Sequence, residues 1–361
     1  MNYKVFDSLE ITNLMLGQLA FLLENVNSNF YPKGGDFAKR AENTLEYLEE
    51  IMYTHNLMAD GKSQKIFQEL VQMYLSLLFF DIEHYLKINP QIGECTPLQW
   101  KKYKKLSGKY AIEGDYEGER VQCWVTEGYS YHSDKYTNKA DRDDVVIDLG
   151  AFTGNTSLYF SEKVGEHGLV YAFEPSPATL EVLNRNLQKA RFENIKIVPL
   201  ALSDKEMILR FPEIIRGGNT AIKEGGVEVP ATSLDIWIEK NNITKVDFIK
   251  MDIEGAEIFA INGAISTIKK YTPKMAISVY HLFEDIWQIP KRILEINPNY
   301  RICLKQPKPY LTETCMHFIP AETPLVLPDP ISDLMPVKTL FMSASQAVKQ
   351  ICQEVKDREH V

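Results

Sequence analysis

The sequence predicts an α/β protein: a mostly parallel sheet with an antiparallel edge, preceded by an all-helical region. Three observations carry this. The run Val145-Val146-Ile147-Asp148-Leu149-Gly150-Ala151-Phe152-Thr153-Gly154-Asn155-Thr156 is an apolar strand ending in an acid, then a glycine turn, then helix-compatible residues. After it, strand-like and helix-like stretches alternate with short connections, the pattern of βαβ units. Before residue 105, apolar residues recur at 3,4 spacing, which places them on one helix face.

In chain order, Leu16, Leu19, Leu23 and Val26 form one stripe. Ala38, Ala41, Leu45, Leu48 and Met52 form a second, and Ile66, Leu70, Met73, Leu77 and Phe80 a third. Tyr31–Asp36 and Asp60–Ser63 read as loops carrying helix-start residues. His84 lies on the third stripe with no partner at metal spacing and reads as a core-edge histidine. Lys101–Lys105 is a solvated helix face or linker, and Glu119–Val125 alternates like a half-buried strand. Strands are expected at 169–173, 195–200, 245–251 and 275–280. Helices are expected at 177–190, capped by Ser176 with Pro177 in the first turn, and at 254–270 with a break near Asn262-Gly263. Strands 300–304 and 314–319 leave no room for a crossover helix, so they pair antiparallel. Residues 207–211 and 227–229 read as a hairpin arm with glycine-rich parts at Arg216–Thr220 and Glu224–Gly226. A final helix is expected from Ser343 to about Lys356. The resulting division is a helical bundle at 1–105, a linker with short strands at 106–140 and an α/β domain at 141–361.

Composition narrows the function classes. With 361 residues, two domains are the default, and 45% apolar and 25% charged content is that of a soluble globular protein. A net charge of −9 without a long basic tract leaves no electrostatic footprint for nucleic acid. Five scattered cysteines without a Cys-x-x-Cys pair argue against a zinc cage or a disulfide framework and fit a cytoplasmic chain. The N-terminus lacks a signal-peptide layout, and Met73–Phe80 is too short to span a bilayer.

The turn after Asp148 points to a ligand class. A dinucleotide fingerprint needs a second glycine two positions after Gly150 so that the backbone can approach a pyrophosphate; Phe152 stands there. S-adenosylmethionine, which has no phosphate, does not need that approach. Four strands end in polar groups, namely Asp148, Glu174, Asp252 and His281, where ligands of open α/β sheets bind. Each acid alone could cap a helix; at successive strand ends they read as a ligand site.

Five ordered blocks then resemble the FkbM family of S-adenosylmethionine-dependent methyltransferases: Val146–Gly154, Tyr171–Pro177, Val198–Asp204, Ile249–Glu257 and Ser278–His281. The resemblance covers roughly 140–320, with Phe152 where the family usually has asparagine. It implies a Rossmann-like seven-stranded sheet and a cofactor, S-adenosylmethionine. By that resemblance Asp148 and the turn Gly150, Ala151, Phe152, Thr153, Gly154 and Asn155 hold its methionine part. Glu174, followed by Pro175, holds the ribose; Leu202 and Ser203 edge the adenine; Asp252 stands where methyl group and acceptor meet.

Methyl transfer from a sulfonium needs an in-line nucleophile, and a hydroxyl acceptor must lose its proton. His281 is the expected base because its ordinary pKa lies near neutrality, with Asp252 and Glu254 as alternatives. No metal is expected. The expected activity is O-methylation of a sugar, a glycan precursor or another hydroxylated small molecule, with the helical region serving substrate recognition or dimerisation. The rivals are an NAD-dependent dehydrogenase or epimerase, and a non-catalytic cofactor-binding scaffold.

Overall fold

A computed structural model of the chain describes residues 47–76, 94–212, 221, 225–308 and 312–325. The first apolar stripe, most of the second, the end of the third with His84, the loop at 31–36, residues 216–220 of the arm and the helix at 343–356 lie outside the described residues. The chain divides into two units. The larger comprises Met58–Ile66 and Gln91–Leu325. In the smaller, Ile51 and Leu57 of helix α1 (Leu48–Leu57) and Phe67 and Leu70 of helix α2 (Gly61–Ser76) are buried.

The larger unit begins with the Asp60 side chain accepting the Ser63 N–H (2.9 Å) at the start of α2, as expected of a helix-start residue. Helix α3 (Pro97–Ser107) opens with a Thr96 capping box and exposes Lys101, Lys102 and Lys105. Helix α4 (Glu117–Arg120) follows and continues into a π-turn at Val121–Val125. The half-buried strand expected at 119–125 is therefore a helical segment. Val121, Gln122 and Cys123 are all buried in succession, whereas a half-buried strand would expose every second residue. The short strands expected before residue 140 are present as β1 (Tyr131–His132) and β2 (Thr137–Asn138), paired antiparallel.

The central sheet is then built in order. Strand β3 (Val145–Leu149), helix α5 (Asn155–Val164), strand β4 (Leu169–Phe173), helix α6 (Pro177–Leu187) and strand β5 (Ile195–Val198) form its first half. The expected arm follows as β6 (Ala201–Leu202), β7 (Met207–Phe211) and β8 (Val227–Thr232), with β8 paired antiparallel to β7 and parallel to β6. Helix α7 (Leu234–Lys240), capped by Ser233, leads to β9 (Phe248–Met251), α8 (Glu257–Asn262), α9 (Ile265–Tyr271) and β10 (Lys274–Ser278). Helix α10 (Asp285–Ile296) precedes β11 (Tyr300–Lys305) and β12 (Cys315–Pro320). The sequence reading left α7 and α10 unassigned. Pro290 inside α10 reads as a breaker, yet the amphipathic face of Ile286, Ile289 and Ile293 is buried and holds the helix. The 254–270 helix breaks at Gly263 as expected but starts only at Glu257, because Glu254 and Gly255 adopt left-handed conformations.

The seven strands lie in the order β11-β12-β10-β9-β3-β4-β5. All neighbours are parallel except β12, which runs antiparallel to β10 and β11. The sheet has helices on both faces. Phe160 and Val164 of α5 and Leu183 of α6 pack on one face, where Val170 and Ala172 of β4 point, while Trp237 of α7 packs against Tyr171 and Phe173 on the other. Burying a side chain such as Phe160 contributes roughly 1.5–3 kcal/mol. Edge strand β11 is covered by the segment before α2: Met58 bridges Ile302 and the Ala59 N–H donates to the Ile302 carbonyl (2.7 Å).

Lys305 on β11 fixes the loop after the π-turn. Its buried ammonium donates to the carbonyls of Thr126 (2.7 Å), Glu127 (3.0 Å) and Ser130 (3.0 Å). Lys305→Met would leave buried acceptors unpaired and should destabilise the fold by on the order of 3 kcal/mol. Urea unfolding of the two proteins measures this, and equal midpoints would show that the three bonds are worth nothing net.

Candidate active site

A cleft of about 1020 Å³ opens over the carboxyl ends of β3, β4, β9 and β10. Of the residues expected to bind or act, Gly150, Phe152, Glu174, Pro175, Leu202, Ser203, Asp252 and Glu254 border it. Asp148, Ala151, Thr153, Gly154, Asn155 and His281 do not.

The turn after β3 is held from below. Asp148 is fully buried, and its carboxylate accepts from Thr156 Oγ1 (2.7 Å) and Ser157 Oγ (2.6 Å). It pairs with Lys250 Nζ at 3.2 Å, its register partner on β9. Lys250 also donates to the carbonyls of Leu149 (3.1 Å) and Gly150 (2.6 Å). Burial alone would lower the lysine pKa, but the carboxylates of Asp148 and Asp252 hold it above its ordinary value. Asp148 thus shapes the turn from inside the protein and does not border the cleft. Above it, Gly150 sits at φ +85°, where a Cβ would come within 2.0 Å of the Asp252 carbonyl oxygen. Only glycine satisfies both conditions.

Glu174 is 7% exposed. It accepts the N–H groups of Phe152 (3.1 Å) and Ser176 (2.9 Å), and burial pushes its carboxyl up to about 7. Phe152 is at φ +45° and stacks on Tyr116 at 5.6 Å. Glu254 (φ +59°) and Glu313 (φ +72°) border the same cleft, so three non-glycine residues in left-handed conformations gather there. Burial also raises the Glu313 carboxyl to about 7. Glu119 of α4 borders the cleft and accepts from Asn155 Nδ2 at 3.3 Å. Loss of hydration there lifts its carboxyl to about 8.

At the other side, Asp252 accepts from Tyr129 OH (2.8 Å) and Tyr280 OH (3.2 Å) and lies 3.3 Å from His281 Nε2. Burial would raise its pKa, yet the charges of Lys250 and His281 keep it below the usual carboxylate range. His281 stands behind Asp252. Its Nδ1 lies 2.9 Å from Glu257 Oε1, and its Nε2 lies 3.3 Å from both Asp252 and Glu254. Burial opposes the charged ring, but these carboxylates overcome it and lift the pKa to about 9. A free imidazole poised to take a proton at neutrality does not fit this environment. Asp252, Glu257 and His281 each offer a metal-ligand atom within 4.8 Å of the others. Glu257 lies against Nδ1 at 2.9 Å and Asp252 against Nε2 at 3.3 Å.

Lys250, Tyr129, Glu119 and Glu313 were not singled out from the sequence. A lone lysine inside the apolar strand 248–251 was the one available signal; the others come from elements whose approach depends on the fold.

Residues 148–302 match the model of the methyltransferase FkbM domain. Over that stretch the chain is similar to the FkbM methyltransferases. It is 28% identical over 136 residues to the hexuronic acid methyltransferase AglP of Haloferax volcanii, covering 36% of this chain and 54% of that protein. It is 24% identical over 192 residues to the 2-O-methyltransferase NoeI of Sinorhizobium fredii, covering 46% of this chain and 76% of that one. The chain thus spans about half the length of the first and about three quarters of the second. The crystal structure of methyltransferase FkbM from Methylobacillus flagellatus shares the fold, with a TM-score of 0.52 at 19% identity, covering 77% of this chain and 60% of that one. The matched residues include Asp148, Glu174, Lys250, Asp252 and His281, whereas Glu119, Tyr129 and Glu313 lie outside them.

The charged His281 gives a pH signature. A ring whose folded pKa rises from 6.5 to about 9 contributes stability that is complete below about pH 6.5 and is lost as pH rises through about 9. Between about pH 6 and about pH 10 the native protein should lose roughly 2–3 kcal/mol more than His281→Gln. Urea midpoints across that range measure it; parallel curves would show that the ring is neutral in the folded protein.

Proposed function

We propose that the chain transfers a methyl group from S-adenosylmethionine to an oxygen of a sugar or a similarly hydroxylated small molecule. The observation that carries this is one cleft over the strand ends of an FkbM domain, with Glu174 facing one part of it and Asp252 another. The residues present fit the cofactor. The cleft is large enough for it, Gly150 lets the turn close against the Asp252 backbone where a Cβ would collide, and Glu174 offers a buried carboxylate at the end of β4.

When bound, S-adenosylmethionine supplies a methyl group on a positive sulfur. Glu174 accepts the ribose hydroxyls. Leu202 and Ser203 edge the base, and the turn Gly150–Gly154 backs the methionine part. Asp252 faces the acceptor hydroxyl, with Tyr129 and Tyr280 fixing its carboxylate, and takes up its proton as the new bond forms. His281 does not reach the cleft; its charged ring orients Asp252 and Glu254. The relatives' names, a hexuronic acid methyltransferase and a 2-O-methyltransferase, support a sugar oxygen as the acceptor. Phe152 in place of the middle glycine of a dinucleotide turn weighs against NAD.

Calorimetry should show S-adenosylhomocysteine binding and no NAD binding. With methyl-labelled S-adenosylmethionine, a panel of sugars, uronic acids and non-sugar polyols should reveal an O-methylated product. Asp252→Asn should lower turnover by about 10²–10⁴-fold per folded molecule. NAD bound with S-adenosylhomocysteine ignored would overturn the reading, and undiminished turnover in Asp252→Asn would remove the carboxylate from the proton's path.

A further inference from the structure

Asp148 was the residue expected to meet the methionine part, yet one of its oxygens accepts from Thr156 and Ser157, the other faces Lys250 at 3.2 Å, and it does not border the cleft. An amino-acid end carries an ammonium and a carboxylate and needs partners for both. Two groups on the helical wall at 117–125 offer them. Gln122 is 1% exposed and borders the cleft, and its Nε2 has no hydrogen-bond partner. A buried amide donor left unpaired costs about 1–3 kcal/mol, so a ligand acceptor beside it removes a standing penalty. Glu119 borders the cleft one helical turn earlier, and its long bond from Asn155 leaves acceptor capacity for a further donor.

The location also fits. Glu119 and Gln122 line the cleft with Gly150, Thr156, Tyr129 and Lys250, groups of β3, β9 and the elements beside them. In the strand order, β9 lies on the side of β3 away from β4 and β5, where Glu174 takes the ribose and Leu202 and Ser203 edge the base. Lys250 donates to the Leu149 and Gly150 carbonyls and pairs with Asp148, and its charge favours a carboxylate nearby. The π-turn explains how the wall presents these groups. The Thr126 N–H closes onto the Val121 carbonyl (2.9 Å), widening the helix so that Val121, Gln122 and Cys123 are buried in succession. Such π-turns are frequent at functional sites.

We propose that this wall, which precedes the FkbM domain in the chain, is the subsite for the zwitterionic end of the cofactor: Glu119 receives the α-ammonium group and Gln122 donates to the α-carboxylate. The proposal rests on the cofactor reading above. It is tested with two ligands, S-adenosylhomocysteine, which has the amino-acid end, and 5′-methylthioadenosine, which lacks it. Glu119→Gln and Gln122→Met should each weaken S-adenosylhomocysteine by about 10- to 100-fold while changing 5′-methylthioadenosine by less than about twofold. Retained 5′-methylthioadenosine binding also shows that the protein is folded. If Gln122→Met fails to fold, Glu119→Gln, a shape-conserving change on the cleft side, still decides. Unchanged S-adenosylhomocysteine affinity in Glu119→Gln, or equal losses for both ligands, would overturn the subsite. Native protein that binds neither ligand would overturn the cofactor reading and this proposal with it.

Discussion

The buried pair of Asp148 and Lys250 is the constraint on which the cleft depends. Both side chains are at most 1% exposed, on adjacent strands at the same register. Two charges removed from water are tolerable when they pair and are hydrogen-bonded, and here the turn supplies most of those bonds: Thr156 and Ser157 to one oxygen of the acid, the Leu149 and Gly150 carbonyls to the lysine. The pair therefore ties the first turn of α5 to the strand end and fixes the carbonyls on either side of the sharp bend at Gly150. Breaking such a pair from one side typically costs about 3–5 kcal/mol, because the survivor remains buried and charged.

Around that pair the cleft carries carboxyls in two regimes. Glu119, Glu174 and Glu313 are pushed up by loss of hydration, while Asp252 is held down by Lys250 and His281. A cationic ligand favours the charged form of the first group without disturbing the second. The surface is thus suited to a molecule with positive centres, and it keeps the Asp252 carboxylate ionised beside Tyr129 and Tyr280.

Much of this was legible in the chain. Parallel strands are buried on both faces and read as continuous apolar runs, so the positions where Asp148, Glu174, Asp252 and His281 interrupt them could be found directly. The antiparallel final pair followed from the short connection between β11 and β12. What could not be read depends on register or on irregular backbone. Lys250 gains its meaning from standing opposite Asp148. Alternation at 119–125 is too short to separate a strand from a helix, and a π-turn has no sequence period of its own. His281 was legible as a strand-end group, but its charge is decided by Glu257, Asp252 and Glu254 together, and only the folded chain brings all three to one ring.

The attachment of the 126–130 loop to Lys305 has a consequence for how the protein is made. The helical wall at 117–125 is translated early, yet the lysine that fixes the loop following it belongs to β11, near the end of the sheet. Such a contact is closed only after a long stretch of chain has been ordered, which makes it intrinsically slow to form. During synthesis the first parallel strands can assemble while the cleft still lacks this anchor. Truncation products ending before residue 305 would accordingly lack the anchor that holds the loop after the helical wall, while the residues of the turn at Gly150 and of the strand ends that border the cleft would all be present.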